Sequence, residues 1–349
     1  MHKRYKQLSK LVSILLLLIG ISACSVKTQT YPTIFALGLV DSGFEISALN
    51  LNTGVRQYVT NSKVIAPMSF AYCSKSKQIA YSTPVEDGEE IILLDLNGSS
   101  RALTFGNNKF RFPVWSPDCS LIAVTSFGEF SKIALIQTTD GSTRILFPNS
   151  DLPMEGFSWS PDGKYAVIVT NPIAHADAVV YNLNVVDIGA ETLIQDINGI
   201  IDHPFSKIAW FSTSNEFLFV ANRQGDFDIY EYDLNKRVET PVVQTEKDEL
   251  FPVLSPDGKT LAFLQSTSGK NSFSVNVLDL PSGSMTALTT APMKIDALLW
   301  ITDQEILVSE FVQAANQTNY YSLDISDKSL NLVASFQGQY KNPEIVIQN

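Results

Sequence analysis

The sequence predicts an all-β fold, and within that class a seven-bladed β-propeller. The first of three observations is the turn motif Ser160-Pro161-Asp162-Gly163, which stands between two apolar segments. Proline presets φ for the first central position of a type I turn, aspartate suits the second, and glycine adopts the positive φ that a short hairpin requires. We therefore expect each copy of this motif to join two antiparallel strands.

The second observation is the regular spacing of the bulky residue that precedes each turn. These seven marker residues are Phe70, Trp115, Trp159, Trp210, Leu254, Trp300 and Ile345. Successive markers are 45, 44, 51, 44, 46 and 45 residues apart. A sustained period in this range is typical of four-stranded propeller blades.

The third observation is a second series of repeated positions, at the end of the third strand of each repeat. Its members are Asn50, Asp95, Thr138, Asp187, Asp233, Asp279 and Asp324. This series begins before the first marker and ends before the last one, so the two ends of the chain must share a blade. A six-bladed ring with a loose terminal hairpin is the structural alternative.

The shared blade is expected to close the ring with three strands from one end of the chain and one from the other. Residues 33–60 would supply Ile34 to Val40, Phe44 to Leu51 and Val55 to Val59, and Glu344 to Gln348 would form the innermost strand. Apolar runs elsewhere are short or alternating, and helical periodicity is nearly absent. With 45% apolar residues and no low-complexity segment, residues 33–349 are interpreted as one domain.

Residues 1–23 have the composition of a targeting segment, with basic residues before the apolar run Leu11 to Ile19. The run ends in Ile21-Ser22-Ala23-Cys24, which resembles the bacterial lipobox. The resemblance implies cleavage before Cys24 and its modification with diacylglycerol and palmitate, leaving residues 24–32 as a lipidated tether. It places the protein on the periplasmic face of a Gram-negative outer membrane or the extracellular face of a Gram-positive plasma membrane. An uncleaved anchor is the alternative, although the run is short for a bilayer span.

The charge of the remaining chain restricts its partners. Residues 1–23 contain four basic and no acidic residues, so their removal changes the formal charge from −11 to −15. An acidic body is unsuited to nucleic acid or to anionic lipid headgroups. We therefore expect membrane attachment through the lipid and no nucleic-acid partner.

Two cysteines, Cys73 and Cys119, follow the markers of neighbouring repeats. Cysteines of an exported protein can pair, but equivalent turns of adjacent blades can lie beyond the Cα separation of about 4.4 to 6.8 Å that a disulfide needs. Buried free thiols are the interpretation we favour here, and a Cys73–Cys119 disulfide is the alternative.

The Ser-Pro-Asp-Gly repeats resemble those of the TolB propeller, of tricorn-type propellers and of the propellers in prolyl oligopeptidases. The segment from Ala221 to Tyr230 is especially similar to a TolB blade. This resemblance covers nearly all of residues 33–349 and implies the architecture of the repeats, not a ligand. We expect two differences from TolB, namely that no α/β domain precedes these repeats and that the repeats number seven where TolB has six.

No familiar catalytic motif occurs in the sequence, so we expect a non-enzymatic protein without a cofactor. The alternative is a metal-dependent carbohydrate lyase or hydrolase, similar to the seven-bladed oligogalacturonate lyases. Its metal ligands would come from two loops at one end of the ring, namely His175, Asp177, Asp202 and His203. The simpler interpretation is that these four are ordinary loop residues.

A second set of side chains precedes the innermost strands and is expected to surround the channel mouth. These residues are Arg111, Glu155, Lys207, Glu249, Asp296, Tyr340 and Lys341. Mixed charges beside aromatic rings suit a binding surface, whereas each residue taken singly also fits a solvated rim. The sequence thus predicts a membrane-anchored binding or scaffold module of the bacterial cell envelope, with an envelope protein, peptide or glycan as its partner.

Overall fold

The structure is a computed structural model that describes residues 30–40, 43–60, 69–171, 181–198, 207–268 and 272–346. Residues Tyr31–Asn349 form one compact unit. Residues 1–29, which include Cys24, lie outside the described residues. The described part contains seven four-stranded antiparallel sheets, which confirms the seven-bladed propeller over the six-bladed alternative. Within it, no helix is long and apolar enough to cross a membrane.

The first three blades contain twelve strands. Blade 1 consists of β1 (Thr33–Val40), β2 (Gly43–Asn50), β3 (Val55–Tyr58) and β28 (Gln339–Val346). Blade 2 consists of β4 (Ser69–Cys73), β5 (Gln78–Val85), β6 (Gly88–Asp95) and β7 (Ser100–Ala102). Blade 3 consists of β8 (Phe110–Trp115), β9 (Leu121–Ser126), β10 (Lys132–Gln137) and β11 (Thr143–Ile145).

The other four blades follow in chain order. Blade 4 consists of β12 (Met154–Trp159), β13 (Tyr165–Thr170), β14 (Asn182–Asp187) and β15 (Thr192–Asn198). Blade 5 consists of β16 (Ala209–Trp210), β17 (Glu216–Asn222), β18 (Phe227–Asp233) and β19 (Val238–Val243). Blade 6 consists of β20 (Glu249–Leu254), β21 (Thr260–Ser266), β22 (Phe273–Asp279) and β23 (Ser284–Ala287). Blade 7 consists of β24 (Ala297–Thr302), β25 (Glu305–Val312), β26 (Gln317–Asp324) and β27 (Leu330–Gln337), with a short 3₁₀ helix at Gln313–Ala315.

Blade 1 closes the ring as predicted, because its strand order is β28-β1-β2-β3. Strand β28 pairs antiparallel with β1 from Leu39↔Gln339 to Thr33↔Val346. It begins five residues earlier than the sequence suggested, since the pairing continues past an irregularity between Phe35 and Leu37. Three strands from one chain end and one from the other therefore complete the sheet without leaving a free inner edge.

The two ends of the ring differ in what they carry. Every innermost strand starts at one end of the ring, which we call the mouth face, and ends at the other, which we call the turn face and which carries the Ser-Pro-Asp-Gly turns. The chain enters blade 1 from the turn face, where the N–H of Tyr31 donates to Oδ1 of Asn52 at 2.6 Å. Tyr31 therefore lies at the end of the ring opposite the mouth face.

The turn motif is stabilised by its own side chains. Ser160 Oγ donates to Asp162 Oδ1 at 2.6 Å and accepts the N–H of Tyr165 at 2.9 Å, which ties the first strand to the second. Gly163 has a φ of 73° and donates its N–H to the carbonyl of Ser160 at 2.9 Å. These bonds explain why serine, aspartate and glycine recur at these three positions.

In blade 3 the glycine position of this motif is occupied by Cys119, which has a φ of 62°. The structure joins Cys119 to Cys73 of blade 2 in a disulfide, with Cα atoms 6.3 Å apart. That separation lies within the range a disulfide accepts. The structure therefore shows the disulfide and not the two free thiols that we favoured from the sequence. The two turns approach each other closely enough to be bridged.

The apolar core is divided into seven clusters, and each cluster is shared by two adjacent blades. One blade therefore cannot bury its apolar faces alone, and the ring has to close for all of them to be covered. The marker tryptophans strengthen these interfaces: Trp115 Nε1 donates to the carbonyl of Ala71 at 3.0 Å, and Trp300 Nε1 donates to that of Val253 at 2.9 Å. A bulky side chain with one N–H suits this position because it packs between blades and also bonds across them.

Candidate functional site

One position of the repeat lines the channel. It is the third residue before each marker, and in the described residues it is occupied by Phe112, Gly156, Lys207, Phe251, Ala297 and Asn342. Five of these six residues are apolar, small or uncharged. Lys207 is therefore an isolated positive charge in this ring of channel-lining positions.

A second repeat position, the residue immediately before each marker, contains a negative charge that complements Lys207. Its residues are Ser69, Val114, Ser158, Ala209, Val253, Leu299 and Glu344. Glu344 is the one ionisable residue among the seven, and it faces the same cavity as Lys207. Sequence reasoning placed Glu344 in the innermost strand but did not select it as a site residue. Aligning the seven repeats on their markers would have revealed it.

The two residues belong to a cavity of about 580 Å³ inside the ring. Its wall also contains Tyr72, Phe251 and Asp296. A smaller cavity of about 390 Å³ has Phe112 and Glu155 in its wall and shares Lys207 with the first. Lys207 therefore belongs to the walls of both cavities.

Glu344 is held by a backbone donor from the neighbouring blade. The N–H of Tyr72 donates to Glu344 Oε2 at 2.6 Å. Burial raises the pKa of the carboxyl to about 7, against the opposing effects of this N–H and of the positive charge of Lys207. Near neutral pH the group is therefore a mixture of acid and carboxylate.

Lys207 is accessible to solvent within the channel, yet protein surrounds it. This environment lowers the pKa of the ammonium, and the nearby Glu344 opposes the shift. Burial thus shifts both members of the pair toward their neutral forms.

Asp296 and Lys341 lie where the innermost strands begin, at the mouth face. Asp296 Oδ2 accepts the N–H of Phe311 at 2.6 Å. Burial raises the pKa of Asp296, and the N–H bond together with the charge of Lys341 opposes that shift. The mouth therefore presents one acid and one base close together.

Phe251 supplies an accessible apolar surface in the channel, since 43% of it is exposed. Its backbone has a φ of 55° although the residue is not glycine and precedes Pro252. Phe112 and Asn342 precede prolines with φ values of 55° and 49° at the same repeat position, next to shifts in strand register. Repeated strained positions beside β-bulges at a cavity are typical of binding sites.

Three of the seven predicted mouth residues do not present free side chains there. Glu249 and Tyr340 are fully buried, because the fifth residue before each marker packs inside the propeller rather than toward the channel. Arg111 forms an ion pair with Glu89. Lys207, Asp296 and Glu155 line the two cavities, and Lys341 is exposed beside Asp296.

The predicted metal ligands His175, Asp177, Asp202 and His203 lie outside the described residues. Among the residues that are described, no group of three or more histidine, cysteine, aspartate and glutamate side chains is arranged to hold a metal ion. The described part of the channel site contains a lysine, carboxyl groups and aromatic rings.

The fold and this site define a β-propeller with a partly apolar, sparsely charged channel. The chain belongs to the family described as the TolB beta propeller domain, whose model matches residues 100–345. The Tol-Pal system protein TolB of Francisella tularensis subsp. holarctica (strain OSU18) is 24% identical over 242 residues, 68% of this chain and 53% of that protein. The chain thus spans about half the length of the curated relatives it matches.

Solved structures show the same architecture. TolB from Acinetobacter baumannii matches with a TM-score of 0.55 and 19% identity, covering 89% of this chain and 82% of that one. An oligogalacturonate lyase from Vibrio parahaemolyticus matches with a TM-score of 0.61 and 12% identity, covering 88% and 86%. At such identities the likeness concerns the fold alone.

Proposed function

We propose that this chain is a lipid-anchored, non-enzymatic binding module of the bacterial cell envelope, and that its mouth face binds a segment of a partner protein. The observation that carries the proposal is the pair Lys207 and Glu344, two isolated charges in otherwise uncharged channel positions, beside the exposed ring of Phe251. An apolar wall with a few placed polar groups is the composition of a ligand site. A polypeptide offers both apolar side chains and charges to such a wall.

Support for the envelope comes from the family. The curated relative named above is the Tol-Pal system protein TolB, and residues 1–24 resemble the start of an exported lipoprotein. Support for the orientation comes from the chain path, because Tyr31 is fixed at the turn face by Asn52. A lipid on Cys24 would hold the turn face toward the membrane and leave the mouth face open to a partner.

The test is photocrosslinking in cells with a benzoylphenylalanine probe. Phe251 and Lys341 are the probe positions on the mouth side, and Ser282, in the exposed turn between β22 and β23, is the matched control on the turn face. We expect one discrete protein adduct from the two mouth positions and none from Ser282. Adducts of equal yield from both faces, or none from the mouth, would contradict a protein-binding mouth.

A further inference from the structure

A second polar cluster lies away from the channel, between blades 5 and 6. Asp228 on β18 and Glu249 on β20 are 1% and 0% exposed. The starts of β18 and β20 lie close together, because the N–H of Phe227, next to Asp228, donates to Oδ1 of Asp248, next to Glu249, at 3.1 Å. Two carboxyl groups thus share one enclosed region that the proposed channel site does not use.

Each carboxyl group has one oxygen with donors and one without. Glu249 Oε1 accepts from Thr245 Oγ1 at 2.6 Å and from Gln265 Nε2 at 3.0 Å. Asp228 Oδ2 accepts from Gln244 Nε2 at 3.2 Å and from the hydroxyl of Tyr230 at 3.4 Å. Glu249 Oε2 and Asp228 Oδ1 are buried and have no hydrogen-bond partner.

No basic side chain of the described residues lies within ion-pair distance of either group. Arg223 is engaged by Glu239 at 2.9 Å, and Lys247 Nζ reaches the side-chain oxygen of Gln265 at 3.4 Å instead. Buried carboxylates without a positive partner are unfavourable unless they bind a proton or a metal ion. The charges of Asp228 and Glu249 therefore require a counterion or a proton.

At the equivalent position in blade 1, a buried carboxylate has a basic partner instead. Glu45 on β2 stands five residues before Asn50, and Asp228 on β18 stands five residues before Asp233, the equivalent position of its repeat. Glu45 is also fully buried. There, Arg56 Nη1 approaches Glu45 Oε1 at 3.9 Å from the outermost strand. Blade 5 lacks such a base among its described residues.

We propose that Asp228 and Glu249 form a binding site for one divalent hard cation, with Ca²⁺ as the expected ion. Two carboxylates balance its charge, and the neighbouring hydroxyl and amide oxygens are ligands that Ca²⁺ accepts. Ca²⁺ also tolerates irregular geometry better than Mg²⁺. Gln244 and Lys247 are exposed, so the segment that covers the cluster lies at the surface, and an ion would enter through it.

The test is calorimetric titration of EDTA-treated, dialysed protein with CaCl₂, together with thermal unfolding at constant ionic strength. We expect one Ca²⁺ per chain and a rise in Tm of about 5 °C when the free ion exceeds its Kd 100-fold. Asp228→Asn and Glu249→Gln should each weaken binding at least about tenfold. Glu246→Gln removes the same charge from an exposed side chain of the covering segment and should bind as the wild type does.

The wild-type titration decides the proposal even if a variant fails to fold. No calcium heat and no calcium-dependent change in Tm would overturn it. A rise of the Tm in EDTA as the pH falls from 8 to 6 that Glu344→Gln keeps and Glu249→Gln loses, without a calcium response, would identify a shared proton instead and would also overturn the cation site. An equal loss of binding in Glu246→Gln would contradict the assignment to Asp228 and Glu249.

Discussion

Arg56, on the outermost strand of blade 1, donates a hydrogen bond of 2.6 Å to the hydroxyl of Tyr340, on the innermost strand of the same blade. The two residues are 284 positions apart in the sequence, so this bond links the two chain segments that close the ring. Tyr340 is fully buried, and Gly38 lies against its ring: a Cβ built on Gly38 would stand 2.5 Å from Tyr340 Cε1. The closing blade therefore depends on a large side chain opposite a residue with none.

The first prediction concerns this close contact. Gly38→Ala should destabilise the protein by about 1 to 3 kcal/mol, because the buried tyrosine ring cannot move away from the added methyl group. In a Tyr340→Ala background, the same substitution should cost much less. Urea denaturation of the four proteins in this double-mutant cycle gives the coupling free energy. A coupling near zero would show that the contact does not constrain the closing blade.

The disulfide between blades 2 and 3 gives a second prediction. Cys73→Ala/Cys119→Ala should lower the free energy of unfolding by about 4 kcal/mol, the loop-closure contribution of a bridge across 46 residues. Cys73→Ala/Cys119→Gly should recover about 1 kcal/mol of this loss, since glycine adopts the positive φ of position 119 without a Cβ penalty. Chemical denaturation of the two double variants checks the difference. Equal stabilities would contradict the role of the backbone conformation at this turn.

The third prediction is a pH dependence that originates at Glu344. Because its folded-state pKa is raised from 4.5 to about 7, the folded protein binds the proton more tightly than the unfolded chain does. The resulting stabilisation is complete below pH 4.5 and is lost as the pH rises to about 7. Glu344→Gln removes the titration, so its stability relative to the wild type should increase over this range. Urea denaturation at pH 4.5, 6 and 8 measures the change, and parallel profiles for the two proteins would contradict it.

A fourth prediction separates stability from binding at Phe251. Phe251→Asn introduces the residue found at the equivalent position 342, where asparagine also has a positive φ before proline. Asparagine tolerates this conformation, and Phe251 is only partly buried, so the Tm should stay within about 3 °C of the wild type. The photocrosslinked adduct from Lys341 should decrease severalfold because the exposed ring is lost. An unchanged adduct yield would exclude the ring from the binding surface.

The sequence predicts the blades well because the turn motif acts locally. In Ser160-Pro161-Asp162-Gly163 the bonds that fix the turn lie within a few residues, so the spacing of the motif translates directly into blade number. Ring closure follows from the same spacing. The early start of β28 at Gln339 does not follow from the spacing. It depends on pairing with β1, which continues past the register shift between Phe35 and Leu37.

The site is less predictable because it depends on the direction of individual side chains. Residues four before the marker, such as Asp296 and Lys341, reach the mouth, whereas Glu249 and Tyr340, one position earlier, point into the core. Several innermost strands contain a bulge, which changes the direction in which the side chains next to it point. The sequence of a single repeat does not show where this bulge lies. Glu344 was detectable only by comparison with the uncharged residues of the other six repeats.

In the proposed function, a partner protein binds at the mouth face through the charges of Lys207 and Glu344. The most direct measurement is the yield of the protein adduct from a probe at Lys341, compared between the wild type and Lys207→Met/Glu344→Gln, at equal expression and folding. This double variant keeps side-chain volume and removes both charges. Our account predicts a fall in yield to the background of the Ser282 control. A yield equal to that of the wild type would contradict the channel as the binding site.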